Sequence, residues 1–349
     1  MSTIHIIHEN NEWLEPLRGE LNALGLPYRE WFIAEGFVDL HKEAPEGVYY
    51  NRMSASSHTR GHRLSLDLTA PLLSWVEFHG RRLINSRRAL QLESSKAEQL
   101  LALQAHGIRT PHTNIINDRR ELLDAAYRIG YPLIVKPNRG GKGTGVQLIH
   151  SLAELSYAAA HYDEWSSPDG INLVQQYIKP ADGSITRVEF IGGNFYYAVR
   201  VDATGGFELC PADACELPLN TSSSDLTLVN PAGATNEETA GLNAAGDAFC
   251  PVGAAGASAD KFSIIKHYGN PDLEKYERFL LANSIEVAAL EYVRDADGNR
   301  YVYDVNVNTN YNRRAELAAG TVNGMRRLAE FLGRELAAQQ RGARLLEVV

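Results

Sequence analysis

Residues 131–149 read Tyr-Pro-Leu-Ile-Val-Lys-Pro-Asn-Arg-Gly-Gly-Lys-Gly-Thr-Gly-Val-Gln-Leu-Ile. Tyr131–Pro137 is an apolar run interrupted by one lysine, which predicts a strand. Asn138–Gly145 is glycine-rich, and Val146–Ile149 reads as a returning strand. Gly140, Gly141, Gly143 and Gly145 let successive backbone N–H groups converge on an anion without Cβ clashes. Lys136 stands alone in its apolar strand, where an unpaired ammonium is costly. It needs an anionic partner, and a nucleotide phosphate supplies one. Two familiar motifs are excluded. A Walker A loop needs Gly-Lys-Ser/Thr opening a helix, whereas Gly141-Lys142 is followed by Gly143. The dinucleotide fingerprint also precedes a helix, not a strand. Strand, loop and strand together form either a flap suited to closing over a triphosphate or an ordinary glycine-rich hairpin with a snorkelling lysine.

A second constellation lies far downstream. Glu291 sits in Val287–Val293, and Asp304 and Asn306 sit in Arg300–Val307. The turn Asp295-Ala296-Asp297-Gly298-Asn299 makes the two strands antiparallel neighbours. Asp304 and Asn306 are two apart and share one face, and Glu291 can meet them from the next strand. Three oxygen donors on one surface suit a hard cation such as Mg²⁺. A polar outer hairpin face is the other reading, but the amide-rich run Asn306–Asn310 favours metal.

Composition narrows the remaining classes. The chain has 349 residues, is 44% hydrophobic and 22% charged, and has a net charge of −9. That composition is globular rather than disordered, and the acidic balance argues against general nucleic-acid binding. No run of apolar residues is long enough to cross a membrane. The N-terminus lacks the pattern of a secretory signal, so a cytoplasmic location is expected. Cys210, Cys215 and Cys250 match no common zinc spacing and read as reduced thiols.

Strands at Ser2–His8, Pro27–Phe37 and Val48–Tyr50 alternate with helices at Asn11–Leu24 and Leu64–Phe78, which predicts a small parallel α/β unit. The basic loop Asn51–Arg63 follows the third strand, where such sheets place ligands. Arg52, Arg60 and His62 there, with Asn308 downstream, are candidate substrate contacts. Arginines could clamp a carboxylate bidentately, or the loop could simply be solvated. Lys96–His106, Glu121–Ile129, Ser151–Tyr162, Asp272–Ser284 and Gly324–Gln340 are expected helices. Asn172–Ile178 is a strand, and Arg187–Ile191 with Asn194–Val201 is a hairpin turning at Gly192-Gly193. Residues 202–260 are rich in Gly, Ala, Ser, Asn and Pro and read as a long loop or insertion.

The order of Lys96 in Ser95-Lys96-Ala97-Glu98, Lys136, Gly140–Gly145, Gln175-Gln176-Tyr177-Ile178, Glu291, Asp304 and Asn306 resembles the ATP-grasp superfamily of carboxylate–amine ligases. The similarity is greatest to the glutamate-ligase (RimK-type) branch and extends to D-alanine–D-alanine ligases. It covers roughly residues 85–200 and 285–312. The resemblance implies an α/β (α+β) ATP-grasp architecture with an N-terminal domain at 1–88. A central subdomain with the flap would span 89–180, and a C-terminal subdomain with the metal site and insertion 181–349. By resemblance, Lys96 and Lys136 contact phosphates, while Gln175, Gln176 and the backbone of Tyr177 and Ile178 form the adenine hinge. Glu291, Asp304 and Asn306 hold two Mg²⁺ ions, for which Mn²⁺ can substitute. Arg187 and Arg200 face phosphate or an acyl-phosphate oxygen, or are surface charge. Lys142 is a mobile γ-phosphate contact or solvated.

Some positions depart from the family pattern. Ile185 occupies the place of the ribose-binding acid, for which Asp182 is the nearby substitute. Ala289 replaces the arginine of dipeptide ligases, which argues against a D-alanine ligase. Glu291 and Asp304 reverse the usual order of acids. The implied activity is ATP-dependent amide formation between a small-molecule carboxylate and an amino-acid or peptide amine, through an acyl phosphate. A kinase on the same scaffold and a non-catalytic nucleotide-binding regulator are the alternatives. No nucleic acid or membrane partner is expected, and a homodimer is compatible.

Overall fold

The computed structural model describes residues 2–204 and 261–346. The expected insertion from residue 205 onward, with Cys210, Cys215 and Cys250, lies outside the described residues. Among the described residues the strands form three sheets.

In the first sheet, β1 (Thr3–His8) lies between β2 (Tyr28–Phe32) and β3 (Gly47–Asn51), and β4 (Arg82–Ile84) flanks β3; all pairs are parallel. The apolar runs Ile4-His5-Ile6-Ile7 and Val48-Tyr49-Tyr50 are buried, as strands covered on both faces must be. α1 (Asn11–Ala23) starts where the Asn10 side chain accepts from the Trp13 N–H, and α2 (Ser65–Phe78) packs on the same unit. β2 ends at Phe32, five residues before the expected Phe37, because the chain turns at Ile33-Ala34. Chain crossovers leave β1 in opposite directions, so a crevice opens beyond the C-terminal ends of β1 and β3. Glu9 and Arg52 emerge there.

α3 (Arg87–Ser94) and α4 (Lys96–Ala105) lead into the second sheet, each capped by a serine, Ser86 and Ser95. The sheet comprises β5 (Thr113–Ile116), β6 (Leu133–Pro137), β7 (Gln147–Ile149) and β8 (Asn172–Gln176). Its order is β5-β8-β6-β7, antiparallel throughout. α5 (Leu122–Ile129), α6 (Leu152–Ala160) and α7 (Tyr162–Trp165) cover it. Ser151 caps α6 by accepting from Glu154 N–H, whereas the Glu154 carboxylate reaches His150 N–H and not the cap's own.

The third sheet comprises β9 (Ser184–Ile191), β10 (Asn194–Asp202), β11 (Phe262–Ile264), β12 (Val287–Arg294) and β13 (Arg300–Asn306), in the order β11-β10-β9-β12-β13. β9 and β10 turn at Gly192 and Gly193, both at positive φ (+63° and +74°), as a tight two-residue hairpin requires. α8 (Leu273–Ala282) packs on one face, and α9 (Arg313–Ala319) follows β13. α10 (Gly324–Leu346) joins the first and third sheets: its Leu328 and Leu332 lie in one core with Ile4, Leu14, Ile191 and Val199. Leu328 is fully buried, so Leu328→Ala is expected to destabilise the chain by about 2–5 kcal/mol. A lower denaturant midpoint at unchanged slope would show it.

Asn85, at φ +58°, completes the junction. Its side chain accepts from Glu286 and Val287 N–H and donates to Val287 and Val307 carbonyls. The first sheet is thereby bonded to both strands that carry the distant acids. Among the described residues, no helix is long and apolar enough to cross a membrane.

Candidate active site

Between the second and third sheets lies a cavity of about 410 Å³. Lys136 on β6 and the flap residues Gly140, Gly141, Lys142 and Gly143 line one wall. Gln175, Gln176, Tyr177 and Ile178, at the end of β8 and beyond it, form the back. Glu291 on β12 with Asp304 and Asn306 on β13 form the opposite wall. The flap reaches the first sheet as well: Lys142 Nζ stands 4.7 Å from the centre of the Trp13 ring, and Arg139 pairs with Asp67 at 3.3 Å.

Glu291 sits directly opposite Asp304 in register, and Ala289 opposite Asn306, with a β-bulge just after Glu291. Such a bulge re-aims the side chains next to it. Tyr303 Oη donates to Glu291 Oε2 at 3.1 Å and Asn306 Nδ2 to Oε1 at 3.2 Å. An amide that donates to Glu291 turns its own oxygen elsewhere. Arg187 bonds Glu291 and Glu189, both at 2.6 Å, and also Thr309 Oγ1 at 2.6 Å. Burial raises the Glu291 carboxyl above its usual range against the pull of Arg187, with Asp304's charge adding to the rise.

The two lysines diverge. Lys96 Nζ lies 2.5 Å from Asp304 Oδ1, and that carboxylate keeps the ammonium raised in spite of burial. Lys136 is 5% exposed and has no ion pair among the described residues; its ammonium faces the Tyr303 ring at 6.0 Å. Burial, with the neighbouring charge of Lys96, pushes it down to about 7. An amine so far below its ordinary range is an unfilled demand for negative charge.

The donors Glu291, Asp304 and the Asn306 oxygen are the hard set magnesium takes. Among the described residues no group of three His, Cys, Asp or Glu side chains could hold a metal. The protein thus offers two carboxylates and an amide, a partial shell of the kind that phosphates and water complete.

A family model for the ATP-grasp domain matches residues 101–183, which hold the second sheet and the flap. Over nearly the whole chain, the crystal structure of a RimK domain ATP-grasp protein from Sphaerobacter thermophilus superposes with a TM-score of 0.60. It is 16% identical and covers 95% of this chain and 99% of that one. The chain has the ATP-grasp fold. The ATP-grasp ligase PsnB, solved with a phosphomimetic precursor variant, Mg and ADP, is similar at a TM-score of 0.58. It is 17% identical, covering 97% of this chain and 99% of that one. Among curated relatives, beta-citrylglutamate synthase B of Danio rerio is 30% identical over 146 residues, 40% of this chain and 34% of that protein. The chain spans about a third of the length of the curated relatives it matches.

Several candidates fall elsewhere than the ATP-grasp resemblance implies. Arg200 is turned to the Asp182 carbonyl at 3.3 Å, away from the cavity. Asp182, the candidate ribose contact, spends its carboxylate on Ser184 N–H and Oγ at the start of β9. Arg187 lines the cavity, but all three of its nitrogens are bonded within the protein, so it braces Glu291. Gly145 is packed at the flap's root, where an added Cβ would meet Pro137 and the Trp165 carbonyl at 3.2 Å. Arg60 and His62 clasp the buried Glu9 carboxylate at 2.5 and 2.9 Å and do not line the cavity. Arg52 is buried behind Asn308, outside the lining.

Other residues of the cavity escaped the sequence reading. Glu93 is buried in the lining and accepts from Ala55 N–H and Val307 N–H, joining the first and third sheets. Gln99 brackets Val305 through both its N–H and its carbonyl. Trp13 and Tyr303 line the cavity as well, and Thr309 bonds Arg187 and Glu189 behind it; their neighbours in sequence give no sign of these contacts.

Proposed function

We propose that this chain joins a small-molecule carboxylate to an amino-acid or peptide amine at the expense of ATP. The carrying observation is the cavity itself, with the buried Lys136 and a glycine flap on one wall and Glu291, Asp304 and Asn306 on the other. The ATP-grasp fold and the synthase relatives support the same chemistry. A carboxylate is a poor acyl donor, because its oxygen leaves badly. In this reading the substrate carboxylate oxygen attacks the γ-phosphorus, ADP departs, and an acyl phosphate forms. The amine nitrogen then attacks the acyl carbon, phosphate leaves, and the nitrogen loses a proton. Lys96, Lys136 and the flap N–H groups hold the phosphates, and the closed flap keeps water from the acyl phosphate. Glu291, Asp304 and Asn306 would hold one or two Mg²⁺ or Mn²⁺ ions, which neutralise the triphosphate when bound. Residues 1–88, 89–180 and 181–349 are the working units in this scheme, and the cytoplasm is its compartment.

The test is phosphate release from ATP over a matrix of carboxylates and amino-acid or peptide amines. Release that needs both partners and yields an amide is the expected outcome. A stable phosphorylated hydroxyl product would make the protein a kinase, and absence of release with every pair would leave a regulator.

A further inference from the structure

The guanidinium of Arg52 is 3% exposed and makes no ion pair with a carboxylate among the described residues. Its Nε donates to Asn308 Oδ1 at 3.0 Å, and its Nη2 to Asn310 Oδ1 at 2.7 Å and the Thr309 carbonyl at 3.5 Å. Among the described residues, Nη1 is buried without a partner, as are the hydroxyls of Tyr50 and Tyr311. A buried cation left with only amide oxygens is an expensive way to hold a loop. Its geometric consequence, however, is specific. A carboxamide is planar, so an asparagine whose oxygen is fixed on Arg52 must turn its NH₂ the other way. Asn308 and Asn310 both line the cavity, and among the described residues nothing accepts from either amide nitrogen. The cation behind them also polarises both amides, which strengthens their remaining donors.

We propose that the amide NH₂ groups of Asn308 and Asn310 form a carboxylate-binding subsite, with Arg52 as the buried positioning residue that orients both. The subsite lies beside Ser54 and Ser56 at the end of the first sheet, past the acids of β12 and β13. The proposal rests on the ligase reading for the anion's identity as a substrate carboxylate. It replaces the direct clamp that an arginine in this loop suggests: the positive charge acts through two neutral amides. A neutral donor pair holds a carboxylate without an ion pair that must be broken when the group reacts.

The test uses the full chain labelled with ¹⁵N-asparagine, without nucleotide. The side-chain NH₂ signals of residues 308 and 310 are assigned by their loss in Asn308→Asp and Asn310→Asp. Sodium acetate is titrated, with acetamide and inorganic phosphate as separate arms. Acetate should move both signals saturably, and acetamide should not. Arg52→Gln should weaken the acetate response about tenfold or more. Arg52→Lys keeps the buried charge but lacks the planar fork whose Nε and Nη2 fix the two amide oxygens in separate directions, so it should weaken it likewise; this arm stands even if Arg52→Gln fails to fold. Signals unmoved by acetate, a tighter response to phosphate, or an undiminished acetate response in Arg52→Lys would each overturn the proposal. Acetate binding with no phosphate release for any substrate pair would instead fault the ligase reading alone.

Discussion

Asp304→Ala should lower ATP-dependent turnover about a thousandfold while the chain remains folded. The carboxylate faces Glu291 across the strand pair and holds Lys96 at 2.5 Å, so its loss removes two functions at once. One of three oxygen donors for the cation disappears, and the partial shell falls to Glu291 and an amide. Lys96 also loses the charge that keeps its ammonium raised against burial. That second loss should cost about 3 kcal/mol of stability in the free protein, because a mostly buried cation loses its direct ion pair and keeps only the more distant charges of Glu93 and Glu291. Far-UV circular dichroism and a denaturant curve separate the two effects from each other. A variant with normal activity at ordinary magnesium would remove Asp304 from the site.

Lys136→Met should move stability and binding in opposite directions. Burial holds the folded-state ammonium at about 7, well under lysine's ordinary 10.5. The folded chain therefore binds fewer protons than the unfolded chain between those values, and this group's cost shrinks as pH rises through that window. Below about 7 the lysine is charged in both states and the full cost is present. Methionine removes that cost, so the variant should be more stable than the natural chain at pH 6, on the order of a few kcal/mol. The advantage should narrow steadily toward pH 10. Nucleotide affinity should fall about ten- to a hundredfold, since a charge-assisted contact is lost from the phosphates. A variant that loses both stability and binding would mean Lys136 is structural.

What the sequence made legible follows from range. Lys136 stood out because one charge in an apolar strand is a local anomaly. Glu291, Asp304 and Asn306 could be placed on one face because a short turn fixes their pairing and strand periodicity fixes their direction. Gly192-Gly193 likewise announced its own turn. Residues whose partners lie far off were misplaced. Arg60 and His62 look like a free basic patch until Glu9, half a hundred residues earlier, is folded against them. Arg52 looks like a clamp until the chain after β13 covers it with Asn308 and Asn310. Glu93 makes sense only when Ala55 and Val307 are brought together. The short strands β4, β5 and β11 were missed because three or four residues are too few to establish a period. α3 was missed because it opens on two arginines and presents only a brief apolar face.

The most direct measurement is a crystal structure with a non-hydrolysable ATP analogue and magnesium. The γ-phosphate should lie between Lys136 Nζ and the carboxylates of Glu291 and Asp304, with the flap glycines over it and the adenine against Tyr177 and Ile178. A nucleotide seated elsewhere, or one whose phosphates leave Lys136 untouched, would contradict the assignment of this cavity.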